Sequence, residues 1–388
     1  MKICAIICEY NPFHNGHKYQ IEEIKKEHDA VICIMSGAFV QRGDAAIFDK
    51  WTRAECALLN GVDLVIELPV CFSVNSAERF SFGAISILDK LGVVNSLCFG
   101  SECGDIDILI KAEDILANEP YEVSEYIKKL LDKGISYPKA RSIAFSSFID
   151  EGILTEPNNI LALEYIHALK SLNSTISPIT LKRKDAGHHD ISLDKSIASA
   201  TAIRSLIREN KDFSTYVPEN TYALYKTSPI ADISRLDTAL IYILRTTPPE
   251  ILKKINDVTE GLENRLINSA YECSGFHGLC KKIKTKRYTY TKLSRILVSV
   301  LLNQTKELSK SAPGYVRVLG MNSVGMDILS DIKKKSSLQI ITKPSDFKNF
   351  NASFKLDIKS GDIYSLCFED NDKNMRDYYN SPIIKTNG

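Results

Sequence analysis

For about the first hundred positions the chain alternates continuous apolar runs with amphipathic ones. "KICAIIC" reads as a strand, and "HKYQIEEIKKEH" places Tyr19, Ile21 and Ile24 on one side of a charged helix. "AVICIM" is a strand run, and "DKWTRAECALLN" is helical and closed by Gly61. "VDLVIEL" is a strand stopped by Pro69, "SAERFSFGAISILDKL" a helix stopped by Gly92, and "NSLCFG" a strand again. Strands that are apolar at consecutive positions are buried on both faces, so the pattern predicts a parallel sheet with helices on either side. Right-handed crossovers then make it a doubly wound α/β domain.

The period changes downstream. Residues 105–172 read as helices, including the run from Pro157 through "NNILALEYIHALK", and "SPITLKR" gives one more strand. "SATAIRSLIREN" opens on hydroxyl residues and then sets Ile203, Leu206 and Ile207 on one face, the pattern of a capped helix start. Beyond residue 212 helical segments are joined by "TSP", "TTPP" and "SAPG", with strand content near "VRVLG" and "LQIITK". The expected division is a nucleotide-binding domain over 1–212 and a mainly helical domain over 213–388. There are no internal repeats and no low-complexity segments.

Composition excludes several classes. At 388 residues, 44% apolar and 25% charged, the chain is of ordinary globular make-up with room for two domains. No apolar run approaches the roughly 20 residues of a membrane span, and the first strand runs into a polar turn without a cleavage-site pattern. Several of the ten cysteines, among them Cys4, Cys8, Cys33, Cys56 and Cys98, lie in apolar runs where a free thiol packs as a small hydrophobe. No C-x-x-C occurs, and Cys273, His277 and Cys280 lack the partner pair of a metal site, so no metal ligands are assigned. A reducing, cytoplasmic setting is expected. The net charge of +1 hides an asymmetry: residues 1–210 carry 22 basic and 29 acidic side chains, residues 211–388 carry 27 and 19. The second half is therefore the candidate partner of a polyanion.

The candidate chemistry begins in "EYNPFHNGHKYQ" (9–20), directly after the first strand. In doubly wound sheets ligands bind beyond the carboxyl ends of the strands, where this turn falls. Neither G-x-x-x-x-G-K-[ST] nor G-x-G-x-x-G is present, and "HNGH" lacks the glutamate of a zinc-protease helix. What remains is a turn in which Gly16 lets backbone approach a ligand and two imidazoles, His14 and His17, stand at a helix N-terminus. Such a group can surround a phosphate with donors. "SATAIR" supplies a second set: Ser199 and Thr201 can donate to phosphate oxygens and Arg204 can meet them with a charged fork. The order strand–HNGH–helix, then S-x-T-x-x-R at a later helix start, resembles the HxGH nucleotidyltransferase superfamily.

The chain further resembles the bacterial tRNA(Met) cytidine acetate ligase family. The matching stretches are the Glu9–His17 turn, "SGAFVQRGDAAIFDKWTRAECAL", "DLVIELP", "FGSE", "NNILALEYIHALK", "LKRKDAGHHD", "IASATAIR" and "KRYTYTKLSRIL", from residue 1 to about 320. The resemblance implies an enzyme that consumes ATP to join acetate to N4 of the wobble cytidine of elongator tRNA(Met). It implies His14 and His17 as catalytic groups. The ATP site it implies runs over Ile7, Cys8, Glu9, Tyr10, Asn11, Pro12, Phe13, His14, Asn15, Gly16, His17, Lys18, Tyr19 and Gln20. Gly100, Asn159, Arg183 with Lys184 beside it, and Ser199, Thr201 and Arg204 complete it. The chain departs from the family pattern at Ala38, where the family has Asn, and at His188, where it has Tyr.

The chemistry is consistent with these residues. Acetate is anionic at neutral pH and needs no base to attack the α-phosphorus; the enzyme has to neutralise phosphate charge instead. Magnesium is expected to arrive with ATP. The N4 proton needs an acceptor, for which Glu9 and Asp49 are the carboxylates at hand. For RNA, residues 281–295 hold seven basic residues interleaved with tyrosines: Lys281, Lys282, Lys284, Lys286, Arg287, Tyr288, Tyr290, Lys292 and Arg295. Cations there would meet phosphates and the aromatics would stack on unpaired bases. "DIKKKSS" (331–337) is a weaker second patch. Neither a membrane nor DNA is expected as a partner. A small-molecule adenylyltransferase leaves the basic half without a task, and a non-catalytic RNA-binding protein leaves the paired histidines and the Ser199–Arg204 motif without one.

Overall fold

The computed structural model describes residues 1–118, 121–135, 137–146, 148–183, 198–259, 261–285, 288–369 and 376–385. Its centre is five parallel strands: β1 (Ile3–Cys8), β2 (Ala30–Ser36), β3 (Leu64–Leu68), β4 (Ser96–Ser101) and β5 (Ser177–Lys182), in the spatial order β3-β2-β1-β4-β5. The register runs from Ile3 opposite Ala30 to Cys8 opposite Met35. Every residue of β2 and β3 is buried, as their unbroken apolar runs require. The chain winds outward from β1 to β3 and then returns to the other side of β1 with β4. The switch point of the sheet is therefore at the carboxyl end of β1.

Helices pack around the sheet: α1 (Asn15–Lys25), α2 (Lys50–Leu59), α3 (Ala77–Leu91), α4 (Pro157–Ser171), α5 (Ala200–Arg208) and α6 (Glu219–Thr227), while α7 (Tyr290–Leu302) packs against other helices of the second half. Their ends follow local chemistry. The Asp49 carboxylate accepts from the Thr52 amide at 2.8 Å at the start of α2, and α3 ends at Gly92 in the left-handed conformation. Between β2 and α2 a small antiparallel ribbon pairs Phe39–Val40 with Asp44–Ala45.

The second half is mainly helical, but three of its segments return to the sheet as strands. Strand β6 (Tyr315–Asn322) then lies antiparallel beside β3, and β7 (Gln339–Ile341) and β8 (Ile383–Lys385) pair in parallel with its outer edge. All eight residues of β6 are buried. Across the division expected at 212/213, residues 315–385 add three strands to the sheet begun by residues 3–182, and β6 covers the edge that β3 would otherwise leave open. A buried ion cluster ties the pieces. Lys50 Nζ lies 2.6 Å from Glu67 Oε1 and 2.5 Å from Asp377 Oδ1, and Arg317 Nη2 donates to the Asp377 carbonyl at 2.6 Å. Such charges are tolerable inside a protein only when paired in this way. All ten cysteines are free, and no helix among the described residues is long and apolar enough to cross a membrane.

Candidate active site

The turn that leaves β1 is held from below by its own side chains. Tyr10 and Phe13 are buried, with the Tyr10 hydroxyl 3.1 Å from Cys33 Sγ, so their rings fill the core and leave backbone to face a ligand. Asn11 is also buried, and its side-chain oxygen accepts from the Ile47 amide at 2.8 Å. The Phe13 amide donates to the Tyr225 hydroxyl at 2.9 Å. Tyr225 belongs to α6 and stacks face to face on Phe48 at 4.1 Å. No sequence motif pointed to Tyr225, since a tyrosine in an amphipathic helix carries no signal of its own.

His14 and His17 have the spacing of a capping box, with imidazoles in both roles. The Gly16 amide donates to His14 Nδ1 at 3.1 Å, and the His14 amide donates to His17 Nδ1 at 3.2 Å. The two rings stack at 3.7 Å. A Cβ on Gly16 would come within 3.0 Å of His14 Cε1, so only glycine lets the first imidazole fold back so closely over the helix start. With both Nδ1 atoms accepting, each neutral ring carries its proton on Nε2. Burial, with Arg183 nearby, pushes the His14 pKa down to about 3. Burial, His14 and Arg183 hold His17 well below the usual range too. The pair is therefore two uncharged Nε2–H donors at neutral pH.

The second motif meets the first. Ser199 caps α5 by accepting from the Ala202 amide at 3.2 Å. Arg204 Nη1 donates to the Asn11 carbonyl at 2.6 Å, and Nη2 donates to Thr201 Oγ1 at 3.1 Å. On the β4–β5 side, Arg183 follows β5, and a Cβ at Gly100 would meet its Cγ at 3.2 Å. Arg183 Nη1 donates to Asn158 Oδ1 at 3.4 Å. Asn158 and Asn159 are fixed in turn by Glu102: the Asn159 amide donates to Oε2 at 2.8 Å and Asn158 Nδ2 to Oε1 at 2.5 Å. Asn159 is buried and its side-chain oxygen accepts from the Cys103 amide at 3.0 Å. Glu102 is the acid of "FGSE" and supports the site indirectly.

The remaining expected residues divide by position. Ile7 and Glu9 are half-buried at the strand end, and Cys8 is in the core. Pro12 is buried within the turn. Asn15 Nδ2 donates to the Thr215 carbonyl at 3.0 Å, and Gln20 Nε2 donates to the Cys98 carbonyl at 3.3 Å. Tyr19 is half-buried on α1, while Lys18 lies 3.9 Å from Glu22 on its solvent side. Lys184 and His188 lie outside the described residues. Of the two carboxylates considered as proton acceptors, Asp49 is occupied as a helix cap. Glu9 Oε1 accepts from the Gln41 amide at 2.7 Å; burial raises its pKa, against the opposing pull of that amide and of Arg204, Arg53 and Arg42.

The basic run is only partly an open surface. Lys281, Lys282 and Lys284 are exposed at the end of the helix Phe276–Ile283, with Lys282 paired to Glu272 at 2.6 Å. Lys286 and Arg287 lie outside the described residues. Tyr288 is 8% exposed, its hydroxyl donates to the Thr259 carbonyl at 3.4 Å, and the Lys292 ammonium sits 5.6 Å over its ring. The expected stacking of Tyr288 on a base is therefore corrected: its ring is spent on the core. Arg295 is half-buried on α7, where burial lowers its pKa.

A Rossmann-like sheet with paired imidazoles at the helix that follows β1 is the arrangement of a nucleotidyltransferase. The family model described as HIGH Nucleotidyl Transferase matches residues 1–378, and the chain belongs to that family. It is 44% identical over 406 residues to a Clostridium perfringens protein named tRNA(Met) cytidine acetate ligase, covering 99% of this chain and all of that one. A Clostridium botulinum protein of the same name is 42% identical over 409 residues, with 100% and 99% covered. Among solved structures, Thermotoga maritima TmcAL bound with alpha-thio ATP superposes with a TM-score of 0.89 at 32% identity, each chain covered in full.

Proposed function

We propose that this chain is an ATP-dependent tRNA(Met) cytidine acetate ligase, which activates acetate as acetyl-adenylate and passes the acetyl group to N4 of the wobble cytidine of elongator tRNA(Met). The observation that carries this reading is the meeting of two neutral Nε2–H donors, His14 and His17, with Arg183 and Arg204 at the switch point of the sheet. The names of the full-length relatives and the ATP analogue on the Thermotoga structure support it.

In the first step an acetate oxygen attacks the α-phosphorus, the bond to the β-phosphate breaks and diphosphate leaves. The imidazoles serve as donors because, uncharged, they can be buried without a partner anion in the resting enzyme. Each donor aimed at developing phosphate charge lowers the barrier by about 3 kcal/mol. Arg183 and Arg204 add fixed positive charge from opposite sides of the turn. Magnesium would enter on the phosphates of ATP, since the groups gathered here are imidazoles and guanidiniums. In the second step N4 attacks the acetyl carbonyl and AMP leaves; Glu9, whose carboxyl is raised by burial, is suited to take the N4 proton. A cytoplasmic location, where ATP and tRNA meet and thiols stay reduced, goes with this reading.

The test is incubation of the pure protein with ATP, labelled acetate and tRNA(Met), followed by digestion and detection of N4-acetylcytidine. Acetate-dependent exchange of diphosphate into ATP without tRNA reads the first step alone. Absence of both would overturn the proposal.

A further inference from the structure

The proposed reaction requires an unpaired cytosine to reach the acetyl-adenylate, yet Tyr288, the tyrosine of the basic run closest to its densest charge, is buried. A different surface is better built. The ribbon Phe39–Val40/Asp44–Ala45 is closed by Gln41, Arg42 and Gly43, with the Gly43 amide donating to the Val40 carbonyl at 2.9 Å. Three anchors fix this turn. The Gln41 amide donates to Glu9 at the end of β1, Gln41 Nε2 donates to the Asn75 carbonyl at 3.1 Å, and Gly43 lies directly on the backbone of Ser294 and Arg295 in α7. It is the place where the ATP-site loop, α5 and the helical second half touch.

The side chains around the turn are of two kinds. Arg42 is exposed and, among the described residues, makes no hydrogen bond or ion pair. Beyond it Arg208 of α5 lies 3.7 Å from Asp44, and Arg204 feels the charges of Asp44, Glu9, Arg42 and Arg208. Opposite stands an aromatic pair: Tyr290, half-buried at the first turn of α7 on the face that also carries Ser294, and the exposed His277. Their rings are nearly parallel, 13° apart, and the hydroxyl lies 2.6 Å from His277 Nδ1. Gly43 rests on the backbone of Ser294, one helical turn beyond Tyr290, which puts the pair beside the turn. An unpaired, exposed guanidinium next to an accessible aromatic pair is the combination that holds a single-stranded nucleotide: the cation takes a phosphate and the ring stacks on a base.

Resting on the ligase reading, we propose that the acetyl-accepting strand of RNA docks across the Gln41–Gly43 turn, with Arg42 on a flanking phosphate and Tyr290, backed by His277, stacked on an unpaired base. Binding there delivers a base to the Glu9 end of β1 from the side opposite Arg183. The turn's three anchors fix the backbone on either side of Arg42 before RNA arrives, so its side chain is what has to be ordered on binding.

The test uses the full chain and the variants Arg42→Glu, Arg42→Lys, Tyr290→Ala and Tyr290→Phe. Three quantities are read: acetate-dependent ATP–diphosphate exchange without RNA, affinity for tRNA(Met) at two salt concentrations, and N4-acetylcytidine formed. Arg42→Glu is expected to weaken tRNA binding by about tenfold or more and to lower its salt dependence, with exchange unchanged and Arg42→Lys close to wild type. Tyr290→Ala is expected to cut acetylation by about tenfold or more while Tyr290→Phe keeps it, since the ring and not the hydroxyl does the stacking. Wild-type acetylation in Arg42→Glu and Tyr290→Ala would overturn the proposal, as would a parallel loss of exchange. If the wild-type protein shows no acetate-dependent exchange, the ligase reading fails. The tRNA-affinity comparison still decides the docking surface on its own.

Discussion

Arg204 reaches across 193 positions of sequence to donate to the carbonyl of Asn11 at 2.6 Å, so one guanidinium fastens α5 to the turn after β1. Its other terminal nitrogen is directed to Thr201. A lysine can supply the charge but not both directions at once. Arg204→Lys is therefore expected to lower kcat/KM for ATP in the exchange reaction by about 10- to 100-fold, the size of one or two charge-assisted hydrogen bonds, with the melting temperature little changed. A wild-type kcat/KM would mean that the guanidinium takes no part in ATP chemistry.

The histidine pair gives a second expectation. His17→Ala removes one donor and the stacking partner of His14, and exchange should fall by about 10²- to 10³-fold while tRNA affinity stays near wild type. His17→Gln, whose amide can donate from close to the Nε2 position, should recover part of the loss. Equal loss of exchange and tRNA affinity in His17→Ala would indicate disruption of the fold instead.

Much of this was legible because the informative signals are local. Continuous apolar runs marked β1 to β4, and the H-x-x-H spacing marked a helix start whose caps are themselves the donors. The Ser199–Arg204 motif marked its partner. What stayed hidden depends on contacts between distant segments. Tyr225 under Phe13, Glu102 under Asn158 and Asn159, and Gly43 on Ser294 each join positions that no period or motif connects. Tyr288 and Tyr290 look alike in sequence, two residues apart, yet one is buried in the core and the other is only half-buried at its margin, because the chain turns into α7 between them. The return of β6 to the sheet was unreadable for the same reason: "VRVLG" says strand, but not which strand it joins.

Stability should depend on pH through the same imidazoles. His14 titrates near 3 in the folded protein and near 6.5 when unfolded, and His17 is displaced in the same direction. Between those values the unfolded chain binds more protons than the folded one, so stability rises with pH. The contribution is complete above about pH 6.5 and is lost as pH falls toward 3. The melting temperature should drop between pH 7 and pH 5, and the double variant His14→Gln/His17→Gln should flatten that drop. An unchanged slope in the double variant would assign the effect to other groups.

Gly43 has a φ of 76° and no room for a side chain, because a Cβ would overlap the backbone of Arg295. Gly43→Ala must either strain the turn or push α7 away, at a cost of about 1–3 kcal/mol. Denaturant unfolding should report that loss, and tRNA acetylation should fall further than exchange does, because the turn faces the second substrate. An alanine variant of wild-type stability would mean that the turn and α7 do not press on each other in solution.

The last expectation concerns what counts as a domain here. Cutting the chain after residue 212 would strip β6 from β3, leaving an apolar strand edge open and Lys50 and Glu67 buried without Arg317 and Asp377. It would also remove Tyr225 from beneath Phe13 in the ATP-site turn. Breaking a buried charge cluster on one side costs about 3–5 kcal/mol, which alone approaches the whole stability of many domains. The 1–212 fragment is therefore expected to show no cooperative thermal transition and no ATP binding by calorimetry, whereas the full chain shows both. A fragment that melts cooperatively and binds ATP would establish that the first five strands are self-sufficient, and that β6 to β8 decorate a core they do not complete.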